Sequence, residues 1–196
     1  MIEGEPKDPC VADAALLRAH VAGDPNAFAV LVRRHQDRMW AVALRIMRNP
    51  EDAADALQDA YIAAFRRAGS YRGDAQVTSW LHRVVVNACL DRLRAMRVRE
   101  TEPLPGNLDR WSRLGSTMTK DPVEIKEQRN LVIAALGTLN ADQRAALVLV
   151  DMEGYSVEEA AEILGCAPGT VKSRCARGRA RLLPLLSHLK QAEAGS

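Results

Sequence analysis

The residues with the clearest chemical purpose lie near the C-terminus, in Tyr155-Ser-Val-Glu-Glu-Ala-Ala-Glu-Ile-Leu-Gly-Cys-Ala-Pro-Gly-Thr-Val-Lys-Ser-Arg174 and the stretch that follows. This is the layout of a helix-turn-helix: a short amphipathic helix, a turn containing glycine, then a second helix opening on Pro168. Val157, Ala160, Ala161 and Leu164 line one side of the first helix, and Val171, Cys175, Gly178 and Leu182 recur at helical spacing on the second. Packing those faces together leaves Gly169, Thr170, Ser173, Ala176 and Arg177 pointing outward, with Lys172, Arg174 and Arg181 on the flanks and Arg179 near the buried edge. Small groups at the centre permit close approach to DNA. Hydroxyl and guanidinium groups around them can reach base edges or phosphates in a major groove. The formal net charge is only +2, yet no acidic residue occurs from Ile163 to Ala192, so the total conceals a local basic field. A merely solvated cationic helix is the weaker reading, because motif geometry and charge agree independently.

A second constellation suits single-stranded nucleic acid. Ser70-Tyr-Arg-Gly-Asp-Ala-Gln-Val-Thr-Ser-Trp80 supplies rings, a guanidinium, small polar groups and a glycine, just before a helix bearing His82, Arg83, Asn87, Arg92, Arg94, Arg97 and Arg99. Aromatic groups beside cations are what stacking on unpaired bases uses. Pulling a base from its stack costs a few kcal/mol, which a pocket that stacks it and satisfies its Watson–Crick edge offsets. Trp80 reads first as a core residue, and Tyr71 is open between stacking and packing. Asn87 shares a face with Arg83, Leu90, Asp91 and Arg94, which places it outward. Further upstream, Asp52, Asp55, Gln58 and Asp59 lie on one side of a helix whose other side carries Ala54, Leu57, Tyr61, Ala64 and Phe65. Such an acidic stripe would repel DNA and suit a basic protein partner, and a solvated face explains the pattern equally well.

Chemistry of turnover has little support. His20, His35, His82 and His188 are far apart with no partner spacing, and a hydrolase would need convergent groups in one pocket. Cys10, Cys89, Cys166 and Cys175 form no CxxC pair and have no nearby His, which excludes an evident metal site. They read as reduced structural thiols, Cys10 in a mobile tail and Cys89 and Cys175 on apolar helix faces. No metal or cofactor is expected, and the chain is expected not to be an enzyme. The longest apolar run, Ala145 to Val150, is far short of the ~18 residues a membrane span needs, and the N-terminus lacks the pattern of a signal peptide, so the chain is expected in the cytoplasm.

The elements positioning these groups are all helical. Strand-like alternation is absent, aromatic content is only 4%, and aliphatic and small residues dominate, so the expectation is an all-α fold. Helices fit about Val11 to Ala22 and Asp24 to Arg48, the second capped by Asp24 with Pro25 in its first turn and with Phe28, Leu31, Val32, His35, Met39, Val42 and Ile46 as a core face. Asn49-Pro50 opens a third toward Ala68. Gly69 to Ser79 reads as an ordered loop, and Ser79 to Arg99 as a fourth helix. Pro, Gly, Ser and Thr then replace periodicity from Glu100 to Pro122, which reads as a flexible linker. Beyond it helices fit Val123–Gly137, Ala141–Glu153, Val157–Leu164 and Pro168–Leu186.

Three motifs, in order and across that linker, resemble those of extracytoplasmic-function sigma factors of the sigma-70 family: Asp52-Ala-Ala-Asp-Ala-Leu-Gln-Asp59 with Tyr61; Tyr71-Arg-Gly73 through Thr78-Ser-Trp-Leu81 to Asn87; and Gly165 to Arg174. The resemblance runs from about Ala27 to Leu186. It implies two small helical domains: sigma region 2 over residues 1–99, the linker over 100–122, and sigma region 4 over 123–196. It also implies roles. Asp52, Asp55, Gln58 and Asp59 would dock on the clamp helices of the largest subunit of core RNA polymerase. Ser70, Tyr71, Arg72, Gly73, Thr78, Ser79, Trp80, Arg83 and Asn87 would recognise and hold the melted −10 element. Gly169, Thr170, Lys172, Ser173, Arg174, Arg177 and Arg181 would read duplex promoter DNA at −35. An anti-sigma factor, often membrane-bound, is a further partner the family implies. Ala54, Val77 and Cys175 depart from the acid, the aromatic and the larger aliphatic usual at their positions. A conventional helix-turn-helix regulator would explain the C-terminal half equally well, but would leave the Tyr71–Asn87 constellation and the acidic stripe without a purpose.

Overall fold

The computed structural model describes residues 9–101 and 123–193, which form helices and turns. Four helices come first: α1 (Pro9–Val21), α2 (Ala27–Met47), α3 (Pro50–Arg67) and α4 (Val77–Thr101), with a 3-10 turn at Ala68–Ser70. After the gap come α5 (Val123–Gly137), α6 (Ala141–Leu147), a π-helical turn at Val148–Met152, α7 (Val157–Leu164) and α8 (Pro168–Glu193). The linker expected over Glu100–Pro122 lies outside the described residues beyond Thr101. Cys10, expected in a tail, falls in the first turn of α1.

α2, α3 and α4 pack on one another, and α1 lies across α2. The stripe expected on α2 is the centre of this core: Leu31, Met39, Val42 and Ile46 are at most 1% exposed. At roughly 1.5–3 kcal/mol for each such side chain, that burial outweighs any terminal cap. His35, expected on the same face, sits at the rim, where its Nε2 is 2.6 Å from Asp13 Oδ2 while Arg34 donates to Asp13 Oδ1 at 2.7 Å. The buried Asp13 carboxylate thereby ties α1 to α2. The cap of α2 differs in detail from expectation. The helix starts at Ala27, and Asp24 accepts from the backbone N–H of Asn26 and Ala27, so it closes the turn carrying Pro25 rather than starting the helix itself.

Asn49 performs as its type predicts: its side chain accepts from the N–H groups of Glu51 and Asp52, with Pro50 in the first turn. α4 starts two residues earlier than expected. Val77 is 1% exposed, so burial draws it, Thr78 and Ser79 out of the loop into the helix.

In the C-terminal half α6 and α7 pack on α8 around Ala145, Leu147, Ala160, Ile163, Val171 and Cys175. Gly178 is where α8 crosses α6, and a Cβ there would stand 2.6 Å from Leu147 Cδ1. The single helix expected over Ala141–Glu153 is α-helical only to Leu147. Its last turn widens to π, so that Glu153 and then Gly154, at φ +77°, turn the chain toward Tyr155. α8 continues past its expected end at Leu186 and contains Pro184.

Candidate nucleic-acid interface and docking surface

α3 presents an exposed crest of Glu51, Asp55, Ile62 and Arg66, with a depression on each side. Toward α4 lies an open polar cleft of about 1090 Å³. Its α3 wall carries Asp52, Asp55, Asp59, Ala63 and Arg67, and its α4 wall Trp80, Arg83, Val84, Asn87, Ala88, Asp91 and Arg92, with Ser70 at one end. The two N-terminal constellations therefore line one cleft. Arg83 and Asn87 face outward as expected, whereas Leu90, assigned to the same face, is 5% exposed and belongs to the core.

Arg92 was grouped with the basic residues of α4, and the structure gives it another role. Its guanidinium bonds Asp55 and lies 3.7 Å from Asp52 and 3.8 Å from Asp59. The acidic stripe thus has one cation inside the chain, which gathers three carboxylates on one wall. Asp55 and Asp59 stay 57% and 67% exposed and so remain open to a further basic partner. Gln58 leans to the other depression, an apolar groove lined by Phe28, Trp40, Ala54, Leu57, Tyr61, Ile62 and Phe65. Ala54 and Phe65, expected on the packed side, are exposed at this groove's edge. The face of α3 that is buried runs through Ala53, Ala56, Ala60 and Ala64 instead.

The loop before α4 is ordered by its own side chains. Ser70 Oγ donates to Arg67 O at 2.7 Å, the Tyr71 hydroxyl donates to Ala75 O, and Gly73 takes φ +84°. Tyr71 and Trp80 meet edge to face with centroids 5.9 Å apart, both half-buried. That resolves Tyr71 toward packing, and gives Trp80 one edge on the core and one on the cleft. Arg72 and Gly73 are exposed, while Thr78 and Ser79 sit half-buried in the first turn of α4. Val77, at the position where the family usually carries an aromatic, is core.

The helix-turn-helix has its expected faces. Ser156 and Glu159 form a reciprocal capping box at the start of α7, and Gly165 ends that helix in the left-handed conformation at φ +62°. Gly169, Lys172, Arg177 and Arg181 are exposed on α8, with Thr170 and Ser173 half-buried beside them. Ser173 Oγ donates to Thr170 O at 2.9 Å, leaving its lone pairs outward. Arg174 is partly committed: Nη2 donates to Asp142 Oδ2 at 3.0 Å, and Nη1 lies 3.6 Å from Cys166 Sγ. Arg179 is engaged by both oxygens of Asp151, at 2.6 and 3.0 Å, and this partner raises its pKa. Cys89 and Cys175 are buried as expected, and burial pushes the Cys89 thiol up to about 12, an inert group.

One polar cluster was not foreseen. His82, named with the basic residues of α4, is 0% exposed: Nδ1 is 2.6 Å from the Tyr155 hydroxyl and Nε2 is 3.7 Å from Glu153 Oε2. Burial lowers its pKa to about 4, with Glu153 opposing the shift and Arg38 and His35 adding to it, so the ring is neutral at pH 7. Glu153 accepts from Arg38 Nε at 2.8 Å and Arg45 Nη1 at 3.0 Å. No spacing rule links positions this far apart in sequence. The widened turn that brings Glu153 there is likewise invisible in the residue pattern.

Comparison with known proteins agrees with this layout. Residues 31–99 match the family model for sigma-70 region 2, and residues 129–182 that for sigma-70 region 4. Over 177 residues the chain is 51% identical to the ECF RNA polymerase sigma factor SigM of Mycobacterium tuberculosis (strain ATCC 25618 / H37Rv), covering 90% of this chain and 86% of that protein. It is 31% identical over 173 residues to the ECF RNA polymerase sigma-E factor of Escherichia coli (strain K12), covering 85% and 90%. Among solved structures it is similar to the sigma factor RpoE in complex with the anti-sigma factor NepR from Bartonella quintana, with TM-score 0.64 and 29% identity over 83% of this chain and 98% of that one. It is also similar to CnrH in complex with the cytosolic domain of CnrY, with TM-score 0.65 and 26% identity over 90% and 98%.

Proposed function

The chain belongs to the extracytoplasmic-function RNA polymerase sigma factors, and we propose from that membership how its residues divide the work of promoter recognition. It directs core RNA polymerase to promoters from the cytoplasm and performs no turnover of its own. Residues 1–99 form region 2, residues 100–122 the linker and residues 123–196 region 4.

The observation carrying this reading is the cleft between α3 and α4. One wall holds carboxylates that suit a basic protein partner, and the facing wall holds Trp80, Arg83 and Asn87, which suit an unpaired base. Core polymerase docks along the α3 crest. Asp55 and Asp59 supply charge, and Gln58, Ile62 and Phe65 supply the amide and apolar contacts at its groove edge. Arg92 restrains the carboxylates and so reduces the entropy that docking must remove.

The melted −10 strand lies along α4 on the far wall. Trp80 offers a ring at the cleft, Asn87 an amide that reads a base edge, and Arg83, with Arg72 on the preceding loop, offers charge to the backbone. Tyr71 acts by holding the loop, through Trp80 and Ala75 O, rather than by stacking. At −35 the exposed Lys172, Arg177 and Arg181 contact phosphate or guanine, while Gly169 and Ala176 let α8 approach the groove closely. Arg174, tethered by Asp142, contributes as a fixed rather than a searching cation. The sigma factor RpoE is solved in complex with the anti-sigma factor NepR, and by similarity an anti-sigma factor is proposed as a partner of this chain.

Transcription in vitro with core polymerase and genomic DNA tests the assignment. Promoter-specific transcripts are expected only when chain and core are combined, and fewer with Asp55→Arg and with Lys172→Ala plus Arg177→Ala. Specific duplex binding by the chain alone, with no association with core, would replace this reading with that of a conventional regulator.

A further inference from the structure

The cations of α8 are not equally free. Lys172, Arg177 and Arg181 are exposed, whereas Arg179 is engaged by both oxygens of Asp151 at 2.6 and 3.0 Å. Arg174 stands between these extremes. One terminal nitrogen, Nη2, donates to Asp142 Oδ2 at 3.0 Å, and the other, Nη1, meets Cys166 Sγ at 3.6 Å. Asp142 is in the first turn of α6 and Cys166 in the turn between α7 and α8, so three elements meet on one guanidinium. A guanidinium carries five N–H donors in one plane. The Nε–H and one hydrogen on each terminal nitrogen remain beyond these two contacts, in a plane that the contacts fix. Thr170, Arg174, Arg177 and Arg181 recur at helical spacing and form one stripe along the face of the helix-turn-helix.

We propose that Asp142 is a positioning residue for −35 recognition: by fixing the plane of Arg174 it commits that side chain to the edge of one guanine instead of to phosphate. The inference rests on the assignment of α8 to the −35 duplex. A flexible arginine can satisfy itself on any phosphate, a contact that carries no sequence information. A bidentate pairing to guanine O6 and N7 needs two N–H groups directed together at the base edge, and that requirement separates guanine from the other bases. Holding the fork in advance removes the entropy cost of ordering it on the base. The carboxylate acts in the same direction. Asp142 is 47% exposed beside Arg174, where its charge opposes a phosphate that approaches the same guanidinium. Asp142 thus lowers affinity for any duplex and raises discrimination among duplexes, acting through Arg174 from a different helix.

The test uses the holoenzyme, this chain with core polymerase, and a promoter duplex recovered from genomic transcription in which each base pair of the upstream element is changed singly. Arg174→Lys, which keeps the charge and loses the fork, should abolish the preference for guanine at one position and leave the other positions selective. Asp142→Ala should reduce that same preference about three- to tenfold, the cost of ordering one long side chain. It should also bind a duplex with a scrambled upstream element more tightly, with a salt slope steeper by about one unit. Asp142→Asn keeps an acceptor for Nη2 and loses the charge, so it should retain the preference while gaining affinity for the scrambled duplex. Both variants lose the favourable carboxylate in the first turn of α6. A purely structural role for Asp142 would therefore affect them alike and weaken every duplex together, and that result would overturn the assignment. So would an Asp142→Ala or Arg174→Lys holoenzyme whose preferences match the wild type at every position. A wild-type holoenzyme with no preference at any upstream position would instead overturn the reading of α8 itself, and this assignment with it.

Discussion

Gly178→Ala is a sharp test of how α8 is held, because two opposing effects of known size meet there. Alanine is preferred to glycine inside a helix by about 1 kcal/mol. Against this, the new methyl would lie 2.6 Å from Leu147 Cδ1, 3.2 Å from Leu147 Cγ and 3.7 Å from Leu139 Cδ1. Rotating one leucine methyl aside does not relieve a contact that also involves Cγ, and Leu147 and Leu139 are only 2% and 4% exposed, so neither has open space to enter. Overpacking of this kind costs typically about 1–3 kcal/mol, so the net effect should be a loss of about 1 kcal/mol. Leu147→Ala alone should cost about 2–5 kcal/mol through its cavity. In that background the added methyl keeps only an ordinary van der Waals contact with Leu139 Cδ1 at 3.7 Å, and Gly178→Ala should become stabilising by about its helix preference, a coupling of roughly 2 kcal/mol. Hydrogen exchange of the amides in Ala145–Leu149, measured on the full chain, reads this locally. Duplex −35 binding should fall with the single substitution, since α8 is pushed off α6 and its basic face tilts. A Gly178→Ala variant that is stabilised in the wild-type background, or whose effect is additive with Leu147→Ala, would refute the packing argument.

Further outcomes follow from other contacts. Asn49→Ala should destabilise the N-terminal half by about 1 kcal/mol in urea unfolding, because the N–H groups of Glu51 and Asp52 lose their acceptor. Lys172→Ala should lower the salt dependence of −35 duplex binding by about one unit of slope, whereas Arg179→Ala, already held by Asp151, should leave that slope nearly unchanged. Acid should open the contact between the two helical halves in which His82 meets Tyr155. The closed form holds His82 at about 4 against an ordinary value near 6.5, so closure is unpenalised above pH 6.5, is penalised progressively as pH falls toward 4, and gains no further penalty below that. Facing the ring are Glu153, Tyr155, Arg38 and His35, and of these Glu153 alone favours its protonation. At pH 5.5 the closed-to-open ratio should be about tenfold lower, or roughly 1.4 kcal/mol, seen as a larger radius of gyration; His82→Gln should remove that dependence.

Much of the architecture was legible because local rules and burial agree. Asn49-Pro50, the Ser156/Glu159 box and Gly165 act within a few residues of themselves, so residue type alone specifies them. The face of α8 was readable for the same reason: Val171, Cys175 and Gly178 recur at helical spacing and are all buried. Where the sequence reading missed, a tertiary contact had won. Val77 looked like loop because its neighbours are polar, yet one buried side chain extends α4 across it. Arg92 looked like one more cation on a basic helix until α3 placed three carboxylates beside it. Nothing in Val-Leu-Val-Asp-Met distinguishes the π-helical turn at Val148–Met152 from an α-helical turn.

The least legible part, the contact between the halves, lies on the same helix, α4, as the proposed strand-binding wall. Arg83 and Asn87 face the cleft, and His82, adjacent to Arg83, faces the opposite half, so successive side chains point to the proposed DNA wall and to the contact between the halves. A helix rotates its side chains by about 100° per residue, which makes this possible without any change in backbone. It also means the helix cannot turn about its axis to improve one contact without disturbing the other. Binding of the −10 strand along Trp80, Arg83 and Asn87 that rotated α4 even slightly would shift His82 and Ser79 together against Tyr155, the group they meet at the entry to the helix-turn-helix. Strand binding and domain opening would then favour one another, each making the other less costly. On this view the buried histidine is placed on α4, rather than on α2 or α3, because α4 is the helix that both lines the proposed wall for the melted strand and touches α7.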